Sequence, residues 1–204
     1  MAVPSIKGTA FQSVVEDLRR LSEAGRLSPE ELEAALTADD LRLLDEKVLP
    51  GLWYPLGSYQ RLTELLLRTE GGGSNAYVVA RGARADERLF AAGLYQQLAR
   101  GDEIGARKRA KNERWNEHEA NLMASLAGAI FSVSRWRFVG DPGVPGTSRI
   151  EVSEAGALPE VSRFAAQGFI EYTASRLSGA PIRVTSERPA PDRIVFRLRE
   201  TGTK

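Results

Sequence analysis

The side chain with the widest range of chemistry in this chain is His118, the only histidine among 204 residues. Because it is alone, a histidine cluster that binds a metal is excluded. It follows Trp115 by three positions and precedes Leu122 by four, which places it at the edge of an apolar helix face. One interpretation is an axial ligand or a pH-sensitive contact. The helical spacing favours the other, a partly buried and hydrogen-bonded histidine at the boundary of the core.

A basic segment precedes that histidine, and positive side chains on one helix face are typical of phosphate binding. Acidic residues follow closely, and the whole chain has 28 Lys and Arg against 27 Asp and Glu. This balance argues against nucleic-acid binding and favours a solvated helix start or a protein-contact patch. The candidate contact residues are Arg107, Lys108, Arg109, Lys111 and Arg114.

The remaining sequence patterns do not predict catalysis or a cofactor. The stretch EGGGSN at 70–75 lacks the Lys-Ser/Thr of a P-loop and follows a helix instead of a strand. Paired acids at 30–31 and 39–40 stand at predicted helix starts, where they complement the helix dipole. The chain has no cysteine, which excludes disulfides, thiolate nucleophiles and cysteine zinc sites. We predict a non-enzymatic protein with no catalytic residue and no metal.

The composition indicates a folded, water-soluble protein, with 42% hydrophobic and 27% charged residues. The first eighteen residues include acidic side chains and no long apolar core, so we do not expect a signal peptide. No segment approaches the roughly 20 apolar residues of a membrane span. The predicted location is the cytoplasm.

The first part of the chain, residues 8–128, is predicted to be helical. Apolar residues between Phe11 and Leu21 recur with the spacing of one helix face, and Gly25 ends this helix. Ser28 is the predicted N-cap of the next helix, with Pro29 in its first turn.

Later helices are predicted from similar signals. Asp39 or Asp40 is expected to cap a short helix, and Ser58 to cap the helix after it. Longer helices are predicted over 75–100 and 104–128. Gly82 and Gly93 lie within the first of these and indicate close approach of another backbone, because glycine otherwise costs a helix about 1 kcal/mol.

The aromatic stretch GLWYPLGSYQ at 51–60 has two interpretations. The simpler one is a structural joint between helices, since prolines bracket the first two aromatic side chains and aromatic rings bury large areas. The other is a pocket wall, since clefts between helices and a sheet are common ligand sites. The candidate pocket residues are Trp53, Tyr54, Tyr59, Phe90, Leu94, Leu126 and Trp136.

The last third, residues 129–200, changes to strand-like patterns around one helix. IFSVSRWRFV and SRIEV come before a helix predicted over 158–177, and PIRVTSE and RIVFRLR follow it. The predicted fold class is therefore α+β, a single domain over 1–204 in which a helical part packs on a β-β-α-β-β antiparallel sheet unit.

Three blocks carry a family resemblance: IKGTAFQSVVEDLR, LWYPLGSYQRLTELLL and FAAQGFIEYTASRLSG followed by IRVTSE and DRIVFRLR. Together they resemble a paralogous family of myxobacterial proteins of similar length. The order of elements is also similar, more distantly, to haem-nitric-oxide-binding domains, vinyl-reductase-type ligand-sensing domains and TRAPP-like tethering subunits. This second resemblance implies a pocket between helices and sheet, or a platform for dimerisation.

The same resemblance identifies what this chain lacks. Haem-binding members carry a helix histidine and a Tyr-x-Ser-x-Arg motif on a later strand. His118 could stand at the histidine position, but the sequence contains no Tyr-x-Ser-x-Arg, and SVSRWR and GTSRI both lack the tyrosine. Metal-binding sensors of the vinyl-reductase type use cysteines, which are absent. The resemblance therefore implies no haem and no zinc here.

Three functional hypotheses remain open. The first is a regulatory or scaffold module that contacts another protein, with a homodimer as one form of that contact. The second is a small-molecule-sensing domain with an apolar pocket between helices and sheet. The third, which the net charge disfavours, is nucleic-acid binding through residues 107–114.

Overall fold

The structure is a computed structural model that describes residues 3–91, 117–140 and 147–201, with the backbone alone for 89–91 and 117–119. Its helical part comprises β1 (Ser5–Lys7), α1 (Gly8–Glu23), α2 (Pro29–Ala35), α3 (Ala38–Asp45), β2 (Trp53–Pro55), α4 (Leu56–Thr69), α5 (Asn75–Ala91) and α6 (Glu117–Gly128). The final part comprises β3 (Arg135–Gly140), β4 (Thr147–Ser153), a 3-10 turn (Ala155–Ala157), α7 (Glu160–Ser178), β5 (Ile182–Ala190) and β6 (Arg193–Glu200). The predicted α+β class is confirmed.

Helix α1 forms because its apolar residues recur every three or four positions, as predicted. Phe11, Leu18 and Leu21 are completely buried. Gly25 follows the helix with φ of +67°, a left-handed conformation that glycine adopts without a steric penalty. The predicted end of the helix is confirmed.

Helix α2 begins with the predicted capping box. The Ser28 hydroxyl accepts a hydrogen bond from the Glu31 N–H at 3.2 Å, and the Glu31 carboxylate accepts one from the Ser28 N–H at 2.8 Å. Pro29 is the first helical residue, where its missing N–H needs no partner.

Two predicted caps were wrong. Thr37, not Asp39 or Asp40, caps α3, because Asp40 stands three positions later and completes a capping box by accepting from the Thr37 N–H at 3.0 Å. Ser58 does not cap α4, because that helix already begins at Leu56 and Ser58 is buried within it.

The aromatic stretch forms strand β2, which pairs with β1 so that Tyr54 lies opposite Ile6. The Tyr54 ring stacks on Phe11 with 4.7 Å between ring centres, and its hydroxyl oxygen accepts a hydrogen bond from the Leu49 N–H at 2.8 Å. Trp53 is 45% exposed, and the Lys7 ammonium lies 4.1 Å from its ring centre. Tyr54 thus acts as the expected structural joint, whereas Trp53 lies at the surface.

The final part forms a four-stranded antiparallel sheet in the order β3-β4-β6-β5. Ile150 of β4 pairs with Phe138 on one side and Phe196 on the other, and Ile150 and Phe196 are completely buried. The predicted β-β-α-β-β arrangement is confirmed. One buried cluster includes side chains of α1, α4, α6, α7 and this sheet, so the core is continuous from helices to strands.

Helices α5 and α7 approach each other at two glycines. A Cβ on Gly82 would overlap the carbonyl oxygen of Ala165, and a Cβ on Gly168 would overlap that of Val79. The close approach predicted from Gly82 is confirmed, and Gly93 lies outside the described residues. No described helix has both the length and the apolar character that a membrane crossing requires.

Candidate functional site

A small cavity of about 50 Å³ lies where α1, α4, α5 and α7 meet the segment that follows α6. Most of its wall is apolar and comes from side chains far apart in sequence. The apolar lining includes Ile6, Val78, Ala127, Ile130, Phe131 and Phe169.

Three residues of the cavity wall each carry a buried polar atom that has no hydrogen-bond partner among the described residues. Among the described residues, four buried side-chain atoms lack a partner, and three of them belong to residues of the cavity wall: Thr63 Oγ1, Arg81 Nε and Asp86 Oδ1. The fourth is the hydroxyl of Ser162, which is outside this wall. Because an unpaired buried polar atom costs about 1–3 kcal/mol, three of them in one cavity call for a functional explanation.

Arg81 is held by one edge of its guanidinium group. Its Nη2 donates to Asp17 Oδ2 at 2.6 Å and to the backbone oxygen of Ser13 at 2.7 Å. Both acceptors are on α1, whereas Arg81 is on α5, so the ion pair joins the two helices. The residue is 6% exposed, and its Nε–H remains unpaired.

Asp86, one and a half turns further along α5, is completely buried. Its Oδ2 accepts a hydrogen bond from the Thr173 hydroxyl of α7, and its Oδ1 has no partner. Burial raises the pKa of Asp86 to about 7, and the opposing effects of Thr173 and Arg176 are smaller. The carboxyl group therefore titrates near neutral pH, and it accepts or donates a hydrogen bond according to its protonation.

The wall also includes one predicted pocket residue, Tyr59 of α4. Tyr59 is buried, and burial raises the pKa of its phenol, so the hydroxyl stays protonated at neutral pH. Thr63 follows one turn later on the same helix and is completely buried.

The other predicted pocket residues whose side chains the structure describes do not join Tyr59 in this wall. Trp53 and Tyr54 belong to β2, and Leu126 of α6 is half-buried. Trp136 of β3 stacks between Phe131 and Phe196. Phe90 lies in α5 with its side chain undescribed, and Leu94 lies outside the described residues.

The predicted contact patch is likewise not part of the described structure. Arg107, Lys108, Arg109, Lys111 and Arg114 all lie between 92 and 116. His118 lies in α6, of which only the backbone is described at that position. Within the described ranges, no group of three or more His, Cys, Asp or Glu side chains is placed to hold a metal ion.

Sequence reasoning missed Thr63, Arg81 and Asp86. A signal for the two charged residues was present, because they fall among Val78, Gly82 and Ala85 on the face of α5 that packs inward. A charge on an apolar helix face indicates a buried partner or a site. Thr63 carried no such signal, since threonine is common on both helix faces.

A larger groove of about 760 Å³ runs along α5, α7 and β5. Two of its polar side chains are already engaged with the strand. Gln167 donates to the backbone oxygen of Val184 at 2.9 Å, and Glu171 accepts from the Val184 N–H at 2.8 Å. These bonds attach α7 to β5, so the groove is a weaker candidate than the cavity.

Comparison with solved structures identifies the architecture. A mutant H-NOX domain of T. tengcongensis is 15% identical with a TM-score of 0.56, covering 97% of this chain and 98% of that one. An Fe(II) unliganded mutant H-NOX protein of K. algicida is 9% identical, with a TM-score of 0.58 and 97% coverage of each chain. This chain has the H-NOX fold.

A further match supports this assignment. The oxygen complex of an oxygen-binding H-NOX domain related to soluble guanylate cyclases is 12% identical, with a TM-score of 0.53 over 97% of this chain and 96% of that one. No family model matches the sequence, and neither does any curated protein. The resemblance to myxobacterial paralogues therefore has no support from these comparisons.

The H-NOX fold implies a haem, and the described residues do not fit one. A drug-sized ligand needs roughly 300 Å³ or more, whereas the cavity measures about 50 Å³. Phe131, Trp136 and Phe196 stack on one another, with ring centres 5.9 and 5.6 Å apart. Gly82 and Gly168 bring the backbones of α5 and α7 into contact. The fold is shared, but the cavity enclosed by the described residues is too small for a haem.

Proposed function

We propose that the protein is a non-enzymatic small-molecule-sensing domain that binds a ligand directly in the cavity among helices α1, α4, α5 and α7, without a haem. The observation that carries this proposal is a buried cavity whose wall residues Thr63, Arg81 and Asp86 supply three of the four buried side-chain atoms that lack a partner among the described residues. A folded protein retains such atoms at a cost in stability, and a ligand that pairs them recovers it.

The links between helices supply a route from ligand to surface. Arg81 connects α5 to α1 through Asp17, and Asp86 connects α5 to α7 through Thr173. A ligand that contacts Arg81 and Asp86 changes the strength of both links, and it shifts any equilibrium in which these helices separate. The likeness in fold to an oxygen-binding H-NOX domain is consistent with the binding of a small molecule.

The experiment is a screen of compounds of up to six heavy atoms, with haemin included, by thermal unfolding. Two variants make the screen site-specific. Ala85→Leu fills the cavity from α5, and Ala34→Leu makes the same change at an exposed helix position. We expect a compound that raises the unfolding temperature of the wild type and of Ala34→Leu, with no effect on Ala85→Leu. A compound that stabilises all three proteins alike, or stoichiometric binding of haemin, contradicts the proposal.

A second candidate function is the regulatory or scaffold role through protein contact, and one surface favours it. Leu49, Leu52 and Trp53 are each about half exposed around strand β2, which is an apolar surface of a kind that proteins use for contact. If the contact is a homodimer, light scattering will give a mass twice that of the chain, and Trp53→Glu will reduce it. A monomer at all concentrations argues against this form of the scaffold hypothesis.

A further inference from the structure

The outward face of the four-stranded sheet is strongly basic. Side chains alternate between the two faces of a strand, and the face that includes Ile150 and Phe196 is buried in the core. The strand positions of the opposite face carry seven arginines but only two acids, Glu151 and Glu187. The whole chain is nearly neutral, with 28 Lys and Arg against 27 Asp and Glu, so positive charge is concentrated on this face.

Two pairs of these arginines lie directly opposite each other on neighbouring strands. Arg197 of β6 is in register with Arg149 of β4. The next outward residue of β6, Arg199, is in register with Arg183 of β5. Like charges directly opposite each other destabilise an antiparallel sheet, by up to about 1 kcal/mol per pair. A protein that retains two such pairs loses stability to them, which indicates a function that needs the charges.

The acidic side chains around this face do not neutralise it. Three arginines share the single carboxylate of Glu151 at 2.8–3.2 Å, namely Arg137, Arg149 and Arg193. Three others each pair with a separate glutamate at 2.6–3.4 Å, namely Arg135, Arg183 and Arg197. Arg199 is exposed and forms no ion pair with any described residue. Guanidinium donors therefore remain available to an anionic partner.

The pattern of charges fits a protein segment better than a nucleic acid or an anionic membrane. Glu151 and Glu187 lie in one row across the sheet, on either side of Val195. A surface covered with phosphate groups would meet these two carboxylates as well as the arginines. The described face also has no aromatic side chain on which a base could stack. A protein segment can place carboxylates against the arginines and an apolar or basic side chain against that row.

We propose that the outward face of this sheet docks an acidic segment of a partner protein. Its carboxylates accept paired hydrogen bonds from guanidinium groups around Arg197 and Arg199, and they reduce the repulsion between opposed arginines. Outward residues of β6 follow one another at about 6.8 Å, so an extended segment along this strand contacts them with every second side chain. The face includes no residue of the cavity wall and none of Leu49, Leu52 and Trp53, so the inference does not rest on the proposed function.

The test measures the binding of a labelled eight-residue peptide in which glutamate alternates with threonine. Fluorescence anisotropy at about 50 mM salt follows its titration with the full chain. The matched peptide has glutamine in place of every glutamate. We expect the acidic peptide to bind at least about tenfold more tightly, and its affinity to fall as salt is added, because exposed ion pairs are screened.

Charge reversal at single positions supplies the matched control. Arg199→Glu is expected to weaken binding of the acidic peptide about tenfold. Arg68→Glu makes the same change at an exposed position of α4 and should leave binding unchanged. Arg199→Glu should also raise the unfolding temperature, because it places an acid opposite Arg183. Loss of binding by a more stable protein cannot be attributed to misfolding.

The other possible occupants are outcomes of the same test. A short DNA duplex and vesicles of phosphatidylserine are titrated into the same proteins. Tighter binding of either one that depends on Arg199 overturns the proposal, and so does a dimer at low salt that Arg199→Glu dissociates. Failure of the acidic peptide to bind, or equal weakening by the two variants, also overturns it. Ala85→Leu should bind the peptide like the wild type, so the docking face and the cavity are tested separately.

Discussion

At the scale of single residues, two buried aspartates show how local partners shift the pKa of a carboxyl group in opposite directions. Asp40 receives two hydrogen bonds from Arg61, at 2.5 and 2.9 Å. Burial alone would raise the pKa of Asp40, but the bonds from Arg61, Ser58 and Thr37 outweigh it and hold the pKa well below its usual range. Asp86 accepts a hydrogen bond from a single hydroxyl group, so the effect of burial is the larger one and its pKa is raised. The first aspartate stabilises the fold, and the second keeps one carboxyl oxygen unpaired among the described residues.

The pKa of Asp86 predicts a pH dependence of stability. Its pKa is 3.8 in the unfolded chain and about 7 in the folded protein, so the folded state holds a proton that the unfolded state has released between these values. Stability therefore falls as pH rises from about 4 to 7, by about 4 kcal/mol for this group.

Asp86→Asn should remove that dependence. Asparagine still accepts the hydrogen bond from Thr173 but does not ionise, so the variant gains stability relative to the wild type as pH rises from 5 to 8. Urea unfolding at several pH values measures the difference. Parallel pH profiles for the two proteins would show that Asp86 titrates at an ordinary pKa.

Replacement of Asp40, in contrast to that of Asp86, is predicted to destabilise the protein. Asp40→Ala removes the capping box of α3 and leaves Arg61 without its bidentate partner, which is expected to cost about 3 kcal/mol of unfolding free energy. The neighbouring Asp39→Ala is the control, because Asp39 is exposed and pairs only with Arg42 across the surface. Equal losses in the two variants would contradict a structural role specific to Asp40.

At the scale of elements, the contact between α5 and α7 determines the shape of the cavity. Gly82 and Gly168 let the two backbones meet, and this approach brings Asp86 within reach of Thr173. Gly168→Ala should cost about 3 kcal/mol, because the new methyl group overlaps the Val79 carbonyl oxygen. Differential scanning calorimetry measures the loss.

Gly57→Ala is the matched control for the glycine contact. Gly57 also lies in a helix, but its nearest neighbour is the flexible end of the Arg61 side chain at 3.4 Å. Alanine there should be neutral or should stabilise α4 by up to about 1 kcal/mol through its higher helix propensity. A stable Gly168→Ala protein would mean that the helices are not in close contact.

The sequence predicted elements better than it predicted the site. The face of α1, the Ser28 capping box and the strand alternation of 194–198 are local patterns, so they could be recognised without knowing the fold. Strand β2 was missed because its pairing with β1 joins residues nearly fifty positions apart. Apart from Tyr59, the residues of the cavity wall were missed for the same reason, because they come from five separate segments of the chain.

At the scale of the whole molecule, the chain combines the H-NOX fold with a small cavity of about 50 Å³ among its described residues. Similarity to solved H-NOX structures extends over 97% of the chain at 15% identity or less for the proteins compared above, so the backbone path is retained while most side chains differ. The aromatic stack of Phe131, Trp136 and Phe196 connects the helical part to the sheet directly. A shared fold does not by itself determine the site, which depends on the side chains that the fold carries.

The central claim is that a small molecule binds in the cavity whose wall includes Thr63, Arg81 and Asp86. A high-resolution crystal structure of the protein, grown with the compound that the thermal-unfolding screen selects, tests it most directly. The account predicts continuous density for that compound inside the cavity. Density that resolves into separate water molecules, or a cavity opened by a bound haem, would contradict it.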